Sequence, residues 1–363
     1  MGPLRSLHRW IGVAAAVYLA VAALSGVLLL WTDEYVAWRY PEAAAATWTT
    51  HASGLAPLLA QIEAAHPGAI GAIGLPRGER PVFHLYPVAG DELLLHPTTG
   101  AVLGVWASTD ALPAFLFDLH AYLLAGDVGH TLVGVLGLLA LISLISGILL
   151  WFPRRRHLRL RDLWPSSGRR SKLLRSHAAQ GAVLGVLLIV SVGTGVAMVF
   201  DDPIRTGLDA AFGAEGPQRP SAALRVVQDS GPVAWPRVLA RAQETFPEAQ
   251  LRFVMPPRGP GMPVVLRLRQ PEELHPNGRS YLAIDPHSGA LLEAIDARER
   301  GLGPRIFDAL YPIHAARAGW WGHRALLLLA GAGLLFLSLS GLWAFAGPHI
   351  ARVRARIRAR KAA

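Results

Sequence analysis

The stretch FDLHAYLLAGDVGHTLVGVLGLLALISLISGILLWF, residues Phe117–Phe152, decides the reading of this chain. Two histidines, His120 and His130, stand ahead of an apolar run that carries Ser146-Gly147 and ends on Trp151. Pro153 and three arginines follow. The same order returns near the C-terminus as YPIHAARAGWWGHRALLLLAGAGLLFLSLSGLWAF, Tyr311–Phe345. His120 lies 27 residues before Gly147, and His314 lies 27 residues before Gly341. A histidine held at a fixed distance from a membrane helix, written twice, points to a built site.

Composition sets the class. The 363 residues are 52% hydrophobic and only 17% charged, which with long uncharged runs places the chain in a membrane. The absence of cysteine excludes c-type haem attachment, cysteine-ligated iron–sulfur clusters, disulfides and thiol chemistry.

Four apolar runs reach the length of about 20 residues that a helix needs to cross a bilayer. They are Trp10–Trp31, Thr131–Phe152, Ala178–Phe200 and Arg324–Phe345. Ala20 and Ala22 resemble a signal-peptide cleavage site, but that run continues to Trp31 and reads as a span. The loop Pro153–Ser176 holds nine Lys/Arg against Asp162, and the tail after Gly347 holds six with no acid. Thr32–Gly129 holds three basic and ten acidic residues, and Asp201–Gly322 fourteen of each. By the positive-inside rule both termini and the middle loop are cytoplasmic, and the two long segments lie outside. The net charge of +10 is therefore a topology signal that touches anionic lipid, and nucleic acid is not a partner.

The two outer segments read alike. Ala56–Ala65 is a helix ending at Pro67, followed by strands at Ala69–Leu75, Val82–Pro87, Glu92–His96 and Ala101–Val105. Arg237–Phe246 ends at Pro247 and leads into strands at Leu251–Val254, Val264–Arg269, Ser280–Ile284 and Ala290–Leu292. Turns at Pro97–Gly100 and Asp285–Gly289 join the last two strands of each set. The expected fold is an α-helical integral membrane protein, four transmembrane helices in tandem repeat, with two small α+β outer domains. In residue numbers this is a first span to 31, an outer domain 32–112, an interfacial helix and span 113–152, and a cytoplasmic loop 153–176. A third span 177–200, an outer domain 201–303, a helix and span 304–346 and a tail 347–363 complete it. Every span carries a small polar residue followed by glycine: Ser25-Gly26, Ser146-Gly147, Thr194-Gly195 and Ser340-Gly341. Such residues permit close helix approach.

Three histidine pairs are candidates. His8 and His177 open the first and third spans, each 18 residues before a Ser/Thr-Gly glycine and each followed four residues later by glycine, Gly12 or Gly181. An i, i+4 pair shares a helix face, so histidine stands above a seam of small residues with room for a flat macrocycle. Arg9, Lys172 and Arg175 lie nearby as partners for propionates. The plain alternative is histidines at the membrane surface above glycines that pack helices. His120 and His314 occupy matching outer positions, either side of one group or simply on two interfacial helices. His130 and His323, one residue out of register with each other, are reserve ligands or line the approach to the outer site. The remaining histidines, His51, His66, His84, His96, His157, His275, His287 and His349, read as surface groups. No HExxH, phosphate-binding loop or nucleophile elbow is present, nor a dinucleotide fingerprint, so any electron donor is a separate molecule.

Leu7-His8-Arg9-Trp10-Ile11-Gly12 resembles the opening motif of the PepSY-associated transmembrane family. Leu119-His120 and Ile313-His314, each leading to a helix with Ser-Gly, resemble its later motifs, and Asp285–Gly289 resembles the hallmark turn of PepSY domains. The sequence departs where Leu95-His96 replaces the Asp-Pro start of the first turn and where Ser176 and Ala178 flank His177. The resemblance implies an inner-membrane protein with PepSY-like periplasmic domains, of the iron-regulated or ferric-siderophore-reductase type. It further implies two b-type haems, held by His8 with His177 and by His120 with His314. The function expected is one-electron reduction of a ferric siderophore or other ferric chelate, with an unidentified cytoplasmic or membrane donor. A non-enzymatic reading, a membrane-anchored PepSY module that binds a peptidase or another periplasmic partner, stands beside it. A metal permease is disfavoured because the spans lack ionisable residues at the midplane.

Overall fold

The computed structural model describes residues 2–49, 52–78, 80–153, 158–213, 217–226 and 231–362. His51 and His157 lie outside the described residues, as does the side chain of His349.

Four long helices form the membrane part: α1 (Gly2–Leu29), α6 (Gly126–Trp151), α7 (Arg170–Val199) and α11 (Trp321–Ala362). Their apolar portions run 28, 26, 30 and 27 residues, which at about 1.5 Å per residue is roughly 40 Å each, enough for a hydrocarbon core of about 30 Å. The protein is a multi-pass membrane protein. Each helix begins several residues before the apolar run read from sequence, because polar residues at the membrane surface continue the helix. Around the bundle the neighbours run α1, α6, α7, α11 and back to α1. Small residues make the contacts inside it: Ala15 and Ala140 are fully buried between α1 and α6, and Ala330 packs with Leu188 and Leu337 between α7 and α11. Val17, Leu24, Leu149 and Val186 face outward, as a lipid-contacting surface requires.

Between the helices lies an α+β layer. After α1 come short helices α2 (Thr32–Arg39) and α3 (Pro41–Ala45), then α4 (Ala52–Ala65) and strands β1 (Ile70–Gly74), β2 (Phe83–Pro87), β3 (Glu92–Leu95) and β4 (Val102–Trp106). Helix α5 (Leu112–Tyr122) leads to α6. After α7 follow α8 (Asp201–Phe212), α9 (Trp235–Thr245), β5 (Gln250–Met255), β6 (Val264–Arg269), β7 (Ser280–Ile284), β8 (Leu291–Ile295) and α10 (Leu302–His314), which leads to α11.

The two α+β segments share one sheet. Their strands form one antiparallel sheet of eight in the order β4-β3-β2-β1-β5-β6-β7-β8. The joint is β1 against β5, with Ile73 opposite Val254 and Gly74 opposite Phe253. Each set of four strands would otherwise leave an inner edge unpaired, and the joint satisfies both edges. Helices α4 and α9 lie together on one face, where Leu59, Ile73, Leu85, Trp235, Val254 and Leu266 share a single core. Trp235 Nε1 donates to Glu63 Oε2 at 3.0 Å, tying the two helices.

Both hallmark turns form, by different chemistry. Asp285 Oδ1 accepts the backbone N–H of His287 and of Ser288, both at 2.9 Å, and Gly289 takes the left-handed φ of +74°. In the first copy His96 Nδ1 accepts the Thr98 N–H at 3.4 Å, and Gly100 has φ of +67°. An imidazole thus replaces the carboxylate at the departure seen in sequence.

Candidate functional site

The first two histidine pairs meet. The rings of His8 and His177 meet edge to face, with centroids 6.2 Å apart and planes at 76°. Those of His120 and His314 are 6.0 Å apart at 53°. His8 and Gly26 are 18 residues apart on α1, about 27 Å along the helix, so the pairs occupy opposite ends of the bundle.

Each imidazole is seated by a Ser/Thr-Gly step on a neighbouring helix. His8 Nδ1 is 3.1 Å from Ser146 Oγ, and His120 Nδ1 is 3.1 Å from Ser25 Oγ. His177 Nδ1 is 3.0 Å from Ser340 Oγ, and His314 Nδ1 is 3.2 Å from Thr194 Oγ1. The glycine that follows leaves room for the ring. A Cβ at Gly26, Gly147 or Gly195 would lie 3.0, 3.1 or 2.9 Å from Cε1 of His120, His8 or His314, and one at Gly341 would lie 3.6 Å from His177 Cε1. Small size at these steps therefore admits an imidazole, where the sequence reading assigned it to helix packing alone.

The same contacts fix the tautomer. His8 Nδ1 is 3.0 Å from the Ser143 carbonyl and His314 Nδ1 is 2.9 Å from the Ser191 carbonyl, each four residues before the seating glycine. His120 and His177 hydrogen-bond the backbone of Ala22 and Leu337, the equivalent positions. A carbonyl only accepts, so Nδ1 carries the proton and Nε2 keeps the lone pair. Burial, assisted by the neighbouring His314, lowers the pKa of His120 to about 4, and burial lowers that of His314, so both rings of this pair are neutral. A neutral imidazole oriented through Nδ1–H is the form that ligates metals.

A metal ion about 2 Å from one nitrogen of each ring, lying between the two rings, would set the ring centres about 6 Å apart, which is the spacing in both pairs. Among the described residues no group of three or more histidine, cysteine, aspartate or glutamate side chains gathers for a metal. Two protein nitrogens leave the other coordination positions to a partner of different origin.

A cavity of about 1080 Å³ surrounds His8 and His177. Gly12 and Gly181, the glycines one turn beyond these histidines on their own helices, line it, together with Gly147 of α6 and Gly341 of α11. Arg9 and Arg175 reach it as expected, and Arg5 and Arg170 join them, whereas Lys172 lies outside the lining.

The third pair is not brought together in this way. His130 stacks on Tyr122 at 4.9 Å, and its Nδ1 lies 3.1 Å from the Ala121 carbonyl at the corner between α5 and α6. His323 opens α11 with its backbone N–H donating to the Trp320 carbonyl. Two histidines expected at the surface, His84 and His275, are buried. His84 stacks on Tyr86 at 4.2 Å and pairs with Glu92 at 2.7 Å, and His275 stacks on Tyr311 at 5.3 Å. Trp106 belongs to the His84 cluster, while Trp31, Trp320 and Trp321 are exposed.

No curated protein matches the chain. The family model described as the PepSY-associated TM region matches residues 5–347, nearly the whole length, and the protein belongs to that family.

Proposed function

We propose that the protein is an inner-membrane electron carrier with two b-type haems that reduces ferric chelates on the periplasmic side. The observation that carries this reading is the pair of opposed imidazoles at each end of the bundle, with ring centres 6.2 and 6.0 Å apart.

The residues fit haem. Each pair of imidazoles would supply two nitrogen ligands to the iron of a porphyrin, which would bring its remaining ligands itself. Haem with two histidine ligands has no open position and exchanges single electrons. His8 and His177 would hold the cytoplasmic-end group and His120 and His314 the outer one. Gly12 and Gly181 leave space for the macrocycle, and Arg5, Arg9, Arg170 and Arg175 would pair with propionates. The Ser/Thr hydroxyls and helix carbonyls hold each ring in the ligating tautomer. This repeated arrangement is unexplained if the helices only anchor a binding domain.

The basic middle loop and tail support a topology with the His8 end in the cytoplasm and the sheet in the periplasm. Electrons would come from a separate reduced donor at the His8 end and leave at the His120 end. There Fe(III) in a chelate gains one electron to become Fe(II), which hard oxygen ligands hold less well, so the metal is released. The sheet layer would cradle the chelate next to the outer pair. The reading is tested by mixing dithionite-reduced, desalted protein with ferric citrate under argon and trapping Fe(II) with ferrozine. Stoichiometric Fe(II) with reoxidation of the protein supports it, and absence of Fe(II) rejects it.

A further inference from the structure

A second cavity, of about 790 Å³, opens in the outer layer between the end of α9, the start of β5 and the loop after β1. Its size falls in the range of small-molecule sites. Trp48, Phe246, Leu251 and Leu268 give it an apolar and aromatic wall, and two arginines, Arg77 and Arg252, are among its lining residues. Among the described residues no carboxylate lines it.

Arg252 has no acidic partner among the described residues. One Nη donates to Gln250 Oε1 at 2.5 Å, and its Nε is buried with nothing to bond. Its pKa is lowered to about 10, first by burial and then by repulsion from Arg77 and Arg269. Arg77 donates to Asn277 Oδ1 at 2.8 Å and stands 3.9 Å from Asp33 Oδ2, an oxygen already hydrogen-bonded by Arg317. Arg77 shares Asp33 with Arg317, and Arg252 beside it has no acidic partner among the described residues, so the edge of the cavity carries excess positive charge; a ligand carboxylate matches a guanidinium in both charge and shape. Arg77 also links the cavity, through Asp33 and Arg317, to the segment that follows His314.

We propose that this cavity binds an anionic, carboxylate-bearing metal chelate, held by Arg77 and Arg252 against Trp48 and Phe246. The proposal rests on the ferric-chelate reading for the identity of the ligand and adds its charge class and its place.

Binding is measured by isothermal titration of the purified full-length protein with gallium(III) citrate. Gallium takes no electron here, so the titration reads the cavity whether or not the chain transfers electrons. Metal-free citrate and uncharged gallium tris(acetohydroxamate) are titrated alongside. Expected is binding of gallium citrate that weakens as salt rises, with Kd increased about tenfold or more in Arg77→Gln and in Arg252→Gln and largely kept in Arg252→Lys. Haem content and thermal unfolding equal to those of the wild type verify that each variant is folded. The proposal is overturned by no binding of gallium citrate, by an unchanged Kd in both folded glutamine variants, or by equally tight binding of the uncharged complex. Equal affinity for metal-free citrate overturns the chelate assignment.

Discussion

His8 Nδ1 lies 3.1 Å from Ser146 Oγ on a neighbouring helix, and the next residue, Gly147, leaves room for the His8 ring. The relation repeats for His120 on Ser25, His177 on Ser340 and His314 on Thr194. Four equivalent seats indicate that orientation of the imidazole is the common requirement.

The glycines should not be equally sensitive. A Cβ would come within 2.9 Å of the imidazole at Gly195 but only within 3.6 Å at Gly341. Gly195→Ala is expected to lose the outer haem, and Gly341→Ala to keep the inner one. Pyridine haemochrome content of the two purified variants reads the difference, and equal retention would refute the steric account.

Removing a seat hydroxyl should loosen a ligand without abolishing it. Ser146→Ala and Ser340→Ala each leave the carbonyl partner of Nδ1 in place. By analogy with other histidine ligands, affinity should fall about 10-fold or more. Haem transfer to excess apomyoglobin should be correspondingly faster, while Ser→Thr keeps the wild-type rate.

Asp33 is buried beside Arg317 and Arg77. Burial pushes its pKa up, but Arg317, Arg77 and Arg80 outweigh this and hold it below the ordinary 3.8. Its folded pKa is depressed, so its contribution is present above pH 3.8 and is lost as the pH falls from there through the folded value. Asp33→Asn leaves the arginines without their anion and should cost about 3–5 kcal/mol at neutral pH. Thermal unfolding of wild type and variant should differ at pH 7 and converge in acid.

The sheet layer should unfold as one unit. Leu59 and Val254, from opposite halves, lie in the same core and are fully buried. Leu59→Ala, at about 2–5 kcal/mol, should expose both halves to protease together. Cleavage confined to the first half would show two independent domains.

The sequence made the spans legible because about 20 uncharged residues have one reading. It made the two histidine pairs legible because the 18- and 27-residue spacings repeat. It did not show that Gly147 serves His8, since the partners are 139 residues apart in sequence and meet only across helices. The constant spacing of His120 from Gly147 was a true signal whose contact is elsewhere, because His120 sits on Gly26. The β1–β5 joint was likewise hidden. Alternation marks a strand, but edge-to-edge pairing depends on where the helices place the two sheets.

The central claim is that His8 with His177 and His120 with His314 each ligate one haem. Its most direct test is haem stoichiometry from the reduced-minus-oxidised spectrum of protein purified from haem-sufficient cells. The account predicts two b-type haems per chain, about one in His120→Ala and one in His177→Ala, and none when both are replaced. Wild-type protein with no dithionite-reducible haem, or an unchanged count in the single variants, would contradict it.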